Sequence, residues 1–357
     1  MHPEFKLNGN TFSSTTEILR YASGISSGLF RFLQDWLDEK SSVVVNTSGS
    51  TGTPKPISIP KEFMENSAKA TGAFFNLNEG TSALLCLTPE YIAGKMMLVR
   101  AMVLGWHLDI VSPVSNPLAK TNKSYDFSAM VPMQLEASLH DISKIKKLIV
   151  GGGAVSSSLQ AKLSNIPTEV YATYGMTETI THIAVKKLNQ YSEANHNAVD
   201  KQLYHVLPNI SIHTNANACL VIDAPKISNT QIVTNDVVRL FSNTTFIWIG
   251  RADNVINSGG VKLHPERIEE KLRTVITGRF FVSGISDKIL GEKLIVVIED
   301  PENCNDKDAL YRNISALSTL SKYEVPKEVF FLPRFVETPT KKIQRQQSLA
   351  LLFNTDA

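Results

Sequence analysis

Asn46-Thr47-Ser48-Gly49-Ser50-Thr51-Gly52-Thr53-Pro54-Lys55 follows directly on the β-branched run Ser42–Val45, which reads as a buried strand. The glycines let the chain turn tightly enough to aim backbone N–H groups at an anion. The hydroxyls and the Lys55 ammonium supply further donors and positive charge. That is the chemistry of a polyphosphate cradle. It does not follow the G-x-x-x-x-G-K-[ST] spacing: counted from Gly49, Pro54 stands where the second glycine belongs, and Pro56 follows Lys55. A polar surface loop behind a strand is the other reading, because Ser, Thr and Gly are ordinary loop residues.

Outward from this loop, residues 15–38 read as helical pieces, with Leu29, Phe32, Leu33, Trp36 and Leu37 on one apolar face. From 42 to 175 short strands alternate with helices. The strands are Ser42–Val45, Ala83–Leu87, Leu108–Val111, Phe127–Val131, Lys147–Val150 and Glu169–Tyr171. The helices are Lys61–Phe75, Ile92–Leu104 and Ser157–Leu163. Alternation of this kind predicts an α/β fold with a helix-covered, mainly parallel sheet. Residues 205–250, rich in Ile, Val, Thr and Phe, predict an antiparallel β section. After Arg251 comes a compact α+β pattern: helix Pro265–Val275, strands Phe280–Ser283 and Leu294–Ile298, helix Lys307–Leu317 and strand Glu328–Leu332. The expected organisation is a large domain over 1–251 and a small domain over 252–357.

Length agrees, since 357 residues exceed what one hydrophobic core usually supports. Lys and Arg total 36 against 34 Asp and Glu, so there is no basic field for nucleic acid. Cys86, Cys219 and Cys304 form no CxxC pair, which argues against a zinc site or disulfide framework and suits a reducing cytoplasm. No signal-peptide core or bilayer-length apolar run is visible, so a cytoplasmic protein without a membrane span is expected. Whether it forms a homo-oligomer is not legible.

Further segments carry chemistry. Gly151-Gly152-Gly153-Ala154 lies between a strand and a helix, where glycines let backbone approach a flat ligand or an anion. A dinucleotide fingerprint would need glycine at Ser156, and a purely structural turn stays open. Tyr171–Thr179 puts an aromatic, a glycine, hydroxyls and a carboxylate at a strand's C-terminal end, where α/β sheets bind ligands. Asp236 and Arg251, each near a strand end, are suited to clamp a ribose diol. Pro339–Arg345 is a basic stretch that by charge alone reads as solvated.

In this order and spacing, the pieces from about 42 to 347 resemble the adenylate-forming superfamily of acyl-CoA synthetases, luciferases and adenylation domains. Thr47–Lys55 is similar to its phosphate loop, Tyr174–Glu178 to its Tyr-Gly-x-Thr-Glu signature, Gly250–Glu269 to its hinge motif and Pro339–Arg345 to its terminal lysine motif. The resemblance implies ATP, Mg²⁺ and coenzyme A acting on a small carboxylic acid, by way of an acyl-adenylate and then a thioester.

Residue by residue, it implies that Thr47, Ser48, Gly49, Ser50, Thr51, Gly52 and Lys55 embrace the β- and γ-phosphates. Gly152, Gly153, Ala154 and Tyr174, with Gly175 and Met176, would hold the nucleotide's adenine end, and Thr177 the α-phosphate. Glu178 would sit by Mg²⁺, and Asp236 and Arg251 would bind the ribose. Asp253 would be the hinge, Ser258, Gly259 and Gly260 would flank the coenzyme A channel, and Lys342 would be the adenylating lysine. Lys341 stands where the family usually has Gly, and Asn235 replaces a Gly before Asp236, a mild change because Asn tolerates the left-handed conformation.

Only about forty residues precede the phosphate loop, whereas family members commonly carry a long N-terminal subdomain. That feature and Leu87–Arg100 resemble the compact o-succinylbenzoate–CoA ligases of menaquinone synthesis. Tyr91, Arg100 and Thr179 then become substrate contacts, with Arg100 facing a second carboxylate, or else serving as a structural ion-pair partner. Three other readings stay open: an enzyme loading a carrier protein, a non-catalytic nucleotide-binding regulator, and a nicotinamide dehydrogenase built on the Gly151 turn.

Overall fold

A computed structural model describes residues 1–46, 56–191, 199–302, 306–338 and 342–353. Among the described residues the centre is a twelve-stranded sheet. Its strands run, in spatial order, Lys6–Leu7, His107–Ile110, Ser82–Leu85, Tyr125–Met130, Ile145–Val150, Glu169–Gly175, His182–Lys187, Tyr204–Val206, Thr245–Arg251, Ile232–Leu240, Cys219–Asp223 and Ser211–Thr214. Up to Glu169–Gly175 every neighbouring pair is parallel. Beyond it every pair is antiparallel. The strand carrying Tyr174 is therefore the junction between the two halves.

Both faces of the parallel half are covered, as crossover helices require. Successive side chains alternate sides: Ala83 and Leu85 join one apolar cluster, with Phe32, Met97 and Trp106, while Leu84 joins the other, with Leu148 and Val170. Helix Lys61–Phe75 ends at Asn76, whose φ of 52° is the left-handed conformation that closes a helix. Helix Ile92–Leu104 is apolar on nearly every side, buries Met96 to Met102, and stops at Gly105. Helices Thr15–Ser23 and Ser27–Leu37 start at Ser14 and Ser26, whose hydroxyls accept N–H bonds from Glu17 and Leu29.

One strand is placed differently from expectation. Ser42–Asn46 does not join the central sheet but pairs antiparallel with Pro56–Pro60 in a two-stranded ribbon. Val43 and Val45 are buried, while Val44 is 60% exposed. The β-branched run therefore has one covered face, where a strand in the sheet interior would have two.

After Arg251 a second sheet forms from Val261–Leu263, Ile256–Ser258, Gly291–Glu299 and Phe280–Asp287, with Glu328–Leu332 parallel to Gly291–Glu299. It has its own two-faced core: Val282, Leu294 and Val296 on one side, Phe281, Ile295 and Val297 on the other. No helix among the described residues is long and apolar enough to cross a membrane.

Candidate active site

The C-terminal ends of the parallel strands Ile145–Val150 and Glu169–Gly175 carry the Gly151 turn and the Tyr174–Glu178 segment, at the edge where α/β sheets bind ligands, while Asp236 and Arg251 come from the antiparallel pair Ile232–Leu240 and Thr245–Arg251. Register places Val150 beside Ala172, so the Gly151 turn adjoins the strand just before Tyr174. A Cβ on Gly151 would lie 2.6 Å from Thr173 Oγ1, so glycine is needed for this approach. Gly152, Gly153 and Ala154 are exposed at the rim.

Asp236 is the electrostatic centre. It is 6% exposed, and Tyr174 Oη donates to its Oδ2 at 2.6 Å. Trp248 Nε1 donates to its Oδ1 at 3.1 Å, and Arg251 Nη1 lies 3.9 Å from the same oxygen. A β-bulge between Val237 and Val238 interrupts the register that pairs Asp236 with Arg251. Burial first, and the Asp236 carboxylate second, push the Tyr174 hydroxyl far above the ordinary tyrosine value, so it remains a donor. Burial pulls Arg251 down, but its 2.8 Å bond to Asp253 and the charges of Asp236 and Asp253 outweigh this and leave it raised. A carboxylate has about four acceptor positions, so two protein donors leave capacity for a diol.

Tyr174 is fixed on its other side by rings: Phe246 at 5.2 Å and Tyr204 at 6.0 Å, both edge-on. Trp248 and Phe246 were not among the residues singled out from the sequence. Their period-two spacing on strand Thr245–Arg251 puts them on one face, but the face opposite Tyr174 follows from long-range pairing alone.

After Gly175 the chain turns sharply. A Cβ there would meet the Thr181 carbonyl oxygen at 2.3 Å and His182 Cα at 2.5 Å. Met176, Thr177 and Glu178 follow, Thr177 half-buried and Glu178 exposed with no ion pair among the described residues. Thr179 departs from its expected role as a substrate contact. It is fully buried, its hydroxyl accepts from Met176 N–H at 2.9 Å, and carbonyls of Met176 and Thr181 lie 2.9 and 2.7 Å away to take its proton. Ile180 next to it has φ 67° and ψ −57°, a γ-turn closed by Thr181 N–H to Thr179 O at 2.7 Å. That conformation is strained for a β-branched residue, and Thr179 pins it beside the motif.

Arg100 also departs from an open substrate contact: it is 1% exposed within helix Ile92–Leu104 and has no carboxylate partner among the described residues, so the ion-pair alternative is not realised either. Tyr91, half exposed, precedes that helix. Gly259 and Gly260 form a two-residue hairpin turn between Ile256–Ser258 and Val261–Leu263, with φ of 59° and 80°, and Ser258 ends the first of these strands. Lys342 is exposed; its backbone N–H donates to Thr338 Oγ1 at 3.1 Å. Among the described residues no hydrogen bond or ion pair joins it to the Asp236 cluster. The phosphate-loop candidates Thr47, Ser48, Gly49, Ser50, Thr51, Gly52 and Lys55 lie outside the described residues, as does Lys341.

A model of the AMP-binding enzyme family matches residues 29–213. The chain belongs to the AMP-binding enzyme family. An acyl-CoA synthetase (AMP-forming)/AMP-acid ligase II-like protein from Dyadobacter fermentans is 38% identical, with a TM-score of 0.60, over 91% of this chain and 94% of that one. A 2-succinylbenzoate–CoA ligase from Bacillus cytotoxicus is 23% identical over 342 residues, 87% of this chain and 70% of that protein. The O-succinylbenzoate coenzyme A synthetase of Bacillus subtilis, solved with ATP and magnesium, shares the fold at a TM-score of 0.73 and 18% identity, over 96% of this chain and 83% of that one. This chain is an adenylate-forming ligase, and adenylate-forming enzymes use ATP, Mg²⁺ and coenzyme A. No cluster of three or more His, Cys, Asp or Glu suited to a metal occurs among the described residues. A magnesium ion on a nucleotide needs only one or two carboxylates besides phosphates and water, and the exposed Glu178, with no ion pair among the described residues, fits that requirement.

Proposed function

We propose that this AMP-binding enzyme joins o-succinylbenzoate to coenzyme A, and that Asp236, Tyr174 and Arg251 hold the nucleotide while it does so. The carrying observation is the buried Asp236 carboxylate of the antiparallel half, held by Trp248 and by Tyr174 reaching across from the junction strand. The names of the Bacillus relatives support the choice of acid. The substrate carboxylate attacks the α-phosphate of ATP, pyrophosphate leaves, and the coenzyme A thiolate then displaces AMP from the acyl-adenylate. Both reactants of the first step are anions, so positioning and charge neutralisation carry the catalysis. Thr177 contacts the α-phosphate, and Glu178 holds Mg²⁺, which would supply charge neutralisation at the phosphates.

Residues 1–251 and 252–357 act as two domains pivoting at Asp253. Lys342 serves the first half-reaction, and the Ser258–Gly260 turn faces coenzyme A in the second. Separate apolar cores on either side of 250–256 support this division. The buried thiols Cys86 and Cys219 suit a reducing cytoplasm.

The test separates the half-reactions. AMP and pyrophosphate are the expected products with o-succinylbenzoate, and stoichiometric ADP would overturn the reading. Lys342→Ala should lose about 10²–10³ in adenylation rate, the usual cost of one preorganised charge contact. It should still convert supplied acyl-adenylate and coenzyme A to thioester. Unimpaired adenylation in that variant would remove Lys342 from the chemistry.

A further inference from the structure

Lys342 stands on one of two short arms, 336–338 and 342–344, that are tied to each other. The Thr338 N–H donates to the Lys342 carbonyl oxygen at 2.9 Å, and the Lys342 N–H returns to Thr338 Oγ1 at 3.1 Å. Glu337 and Ile343 face each other as an antiparallel bridge. The Gln344 N–H donates to the Val336 carbonyl at 2.8 Å, and its Nε2 donates to that of Glu337 at 3.2 Å. Lys342 is exposed, so this backbone sets where its ammonium can reach.

The first arm is gripped from outside by Arg279, the residue before strand Phe280–Asp287. Arg279 Nη2 lies 2.5 Å from Glu337 Oε1, and its Nη1 lies 3.2 Å from Glu299 Oε2. The other oxygen of Glu299 accepts the Phe335 N–H at 2.8 Å, and the guanidinium stands 5.8 Å from the centre of the Phe335 ring. One planar cation therefore bridges two carboxylates, a task that suits the guanidinium fork better than an ammonium. The Glu299 and Glu337 side chains are only 16% and 19% exposed, so water screens them little. Without the cation between them the two like charges repel. Glu299 ends a strand of nine residues, so Glu337, on the short arm, is the one that yields. The arm keeps a separate anchor, because the Val336 N–H donates to the buried Ser348 Oγ at 3.0 Å.

We propose that Arg279 is a positioning residue for adenylation: through Glu337 it fixes the paired arms and so aims the Lys342 ammonium. A charge contact works in catalysis only when it is held in place beforehand, and a displacement of about 1 Å can cost about 10²-fold in rate. The proposal rests on the reading of Lys342 as the adenylating lysine.

Arg279→Met suits the test, because the guanidinium borders a cavity of about 530 Å³ that accepts a different side chain without overpacking. Its adenylation kcat with o-succinylbenzoate, read by pyrophosphate exchange, should fall about tenfold to hundredfold, with KM for ATP unchanged. Thioester formation from supplied acyl-adenylate and coenzyme A should keep the wild-type rate. In a Lys342→Ala background the same substitution should cost nothing further, because Arg279 acts only through that lysine. Backbone hydrogen exchange should quicken across 336–344 and stay as in the wild type in strands Phe280–Asp287 and Gly291–Glu299. If Arg279→Met fails to fold, Glu337→Gln, which removes the charge and keeps the shape, carries the same measurements. Equal loss in both half-reactions, or a full further loss in the Lys342→Ala background, overturns the positioning role and leaves Arg279 structural. Undiminished adenylation in Arg279→Met overturns it as well. Lys342→Ala adenylating at the wild-type rate overturns the lysine reading instead, and unchanged hydrogen exchange across 336–344 would then overturn the grip of Arg279 on the arms.

Discussion

Around Asp236 the ion pair with Arg251 and the hydrogen bond from Tyr174 are not equal. Arg251 is half-buried and divided between Asp236 at 3.9 Å and Asp253 at 2.8 Å, so solvent screens it and its pairing contributes little to stability. The Tyr174 bond is short, enclosed and made to a charged acceptor, a class worth about 1.5–3 kcal/mol. Tyr174→Phe should therefore lower unfolding free energy by about that much in a urea titration. The ring contacts to Phe246 and Tyr204 survive the change, so the fold should persist. Because the freed carboxylate oxygen is no longer aimed, KM for ATP should rise more than kcat falls. Arg251→Gln should leave stability within about 0.5 kcal/mol, as surface substitutions usually do. A Tyr174→Phe protein as stable as the wild type would mean that water replaces the phenol and that Asp236 is not held by it.

At the scale of elements, the turn after Gly175 concentrates what a close-packed site demands. A methyl on Gly175 meets three backbone atoms of 181 and 182 that cannot swing aside. Gly175→Ala should cost about 1–3 kcal/mol, the range for overpacking, and should weaken ATP binding with it. Normal ATP affinity in that variant would detach the turn from the nucleotide site. Helices Lys61–Phe75 and Ile92–Leu104 and strand Glu328–Leu332 were legible to the residue, because their signals are local: an apolar period in the first helix, a nearly unbroken apolar run in the second helix and the strand, and Asn76 and Gly105 just past the helix ends. The antiparallel ribbon of Ser42–Asn46 was not, since three valines in a row say nothing about which partner pairs with them. Trp248 was missed for the same reason, its role depending on a bulged register between distant strands. Thr179 and Arg100 were visible as residues near a motif, but burial is a property of the packed chain. Packing decided which of the candidate residues face inward.

For the whole molecule, histidine burial sets the response to acid. His182 is depressed well below its ordinary value of 6.5 by burial and by Arg100, and His205 and His264 are lowered mainly by burial. An unfolded chain protonates these rings near pH 6.5 while the folded one does not, so the unfolded state binds more protons as pH falls. Their contribution to stability is thus complete above about pH 6.5 and is lost progressively below it, at no more than about 1.4 kcal/mol per pH unit for each ring. Depressed carboxylates such as Asp126 and Glu324 add to the loss only lower, around and below their ordinary values of 3.8 and 4.5. Glu269 runs the other way: burial raises it against the pull of Arg345, so its share of stability declines as pH rises through the elevated value. Unfolding free energy should therefore begin to fall near pH 6.5, well before carboxylates titrate. His182 faces Arg100 and Thr181 directly and meets Lys69 and Lys226 only across a cavity, and among the described residues no acid is in ion-pair range to restore its basicity. His182→Phe should flatten the curve between pH 6.5 and 5 by up to one proton's slope, while Arg100→Met, which removes the repelling charge, should flatten it less. Urea titrations at half-unit pH intervals measure both, and curves parallel to the wild type in His182→Phe would show that this imidazole already takes up its proton in the folded state.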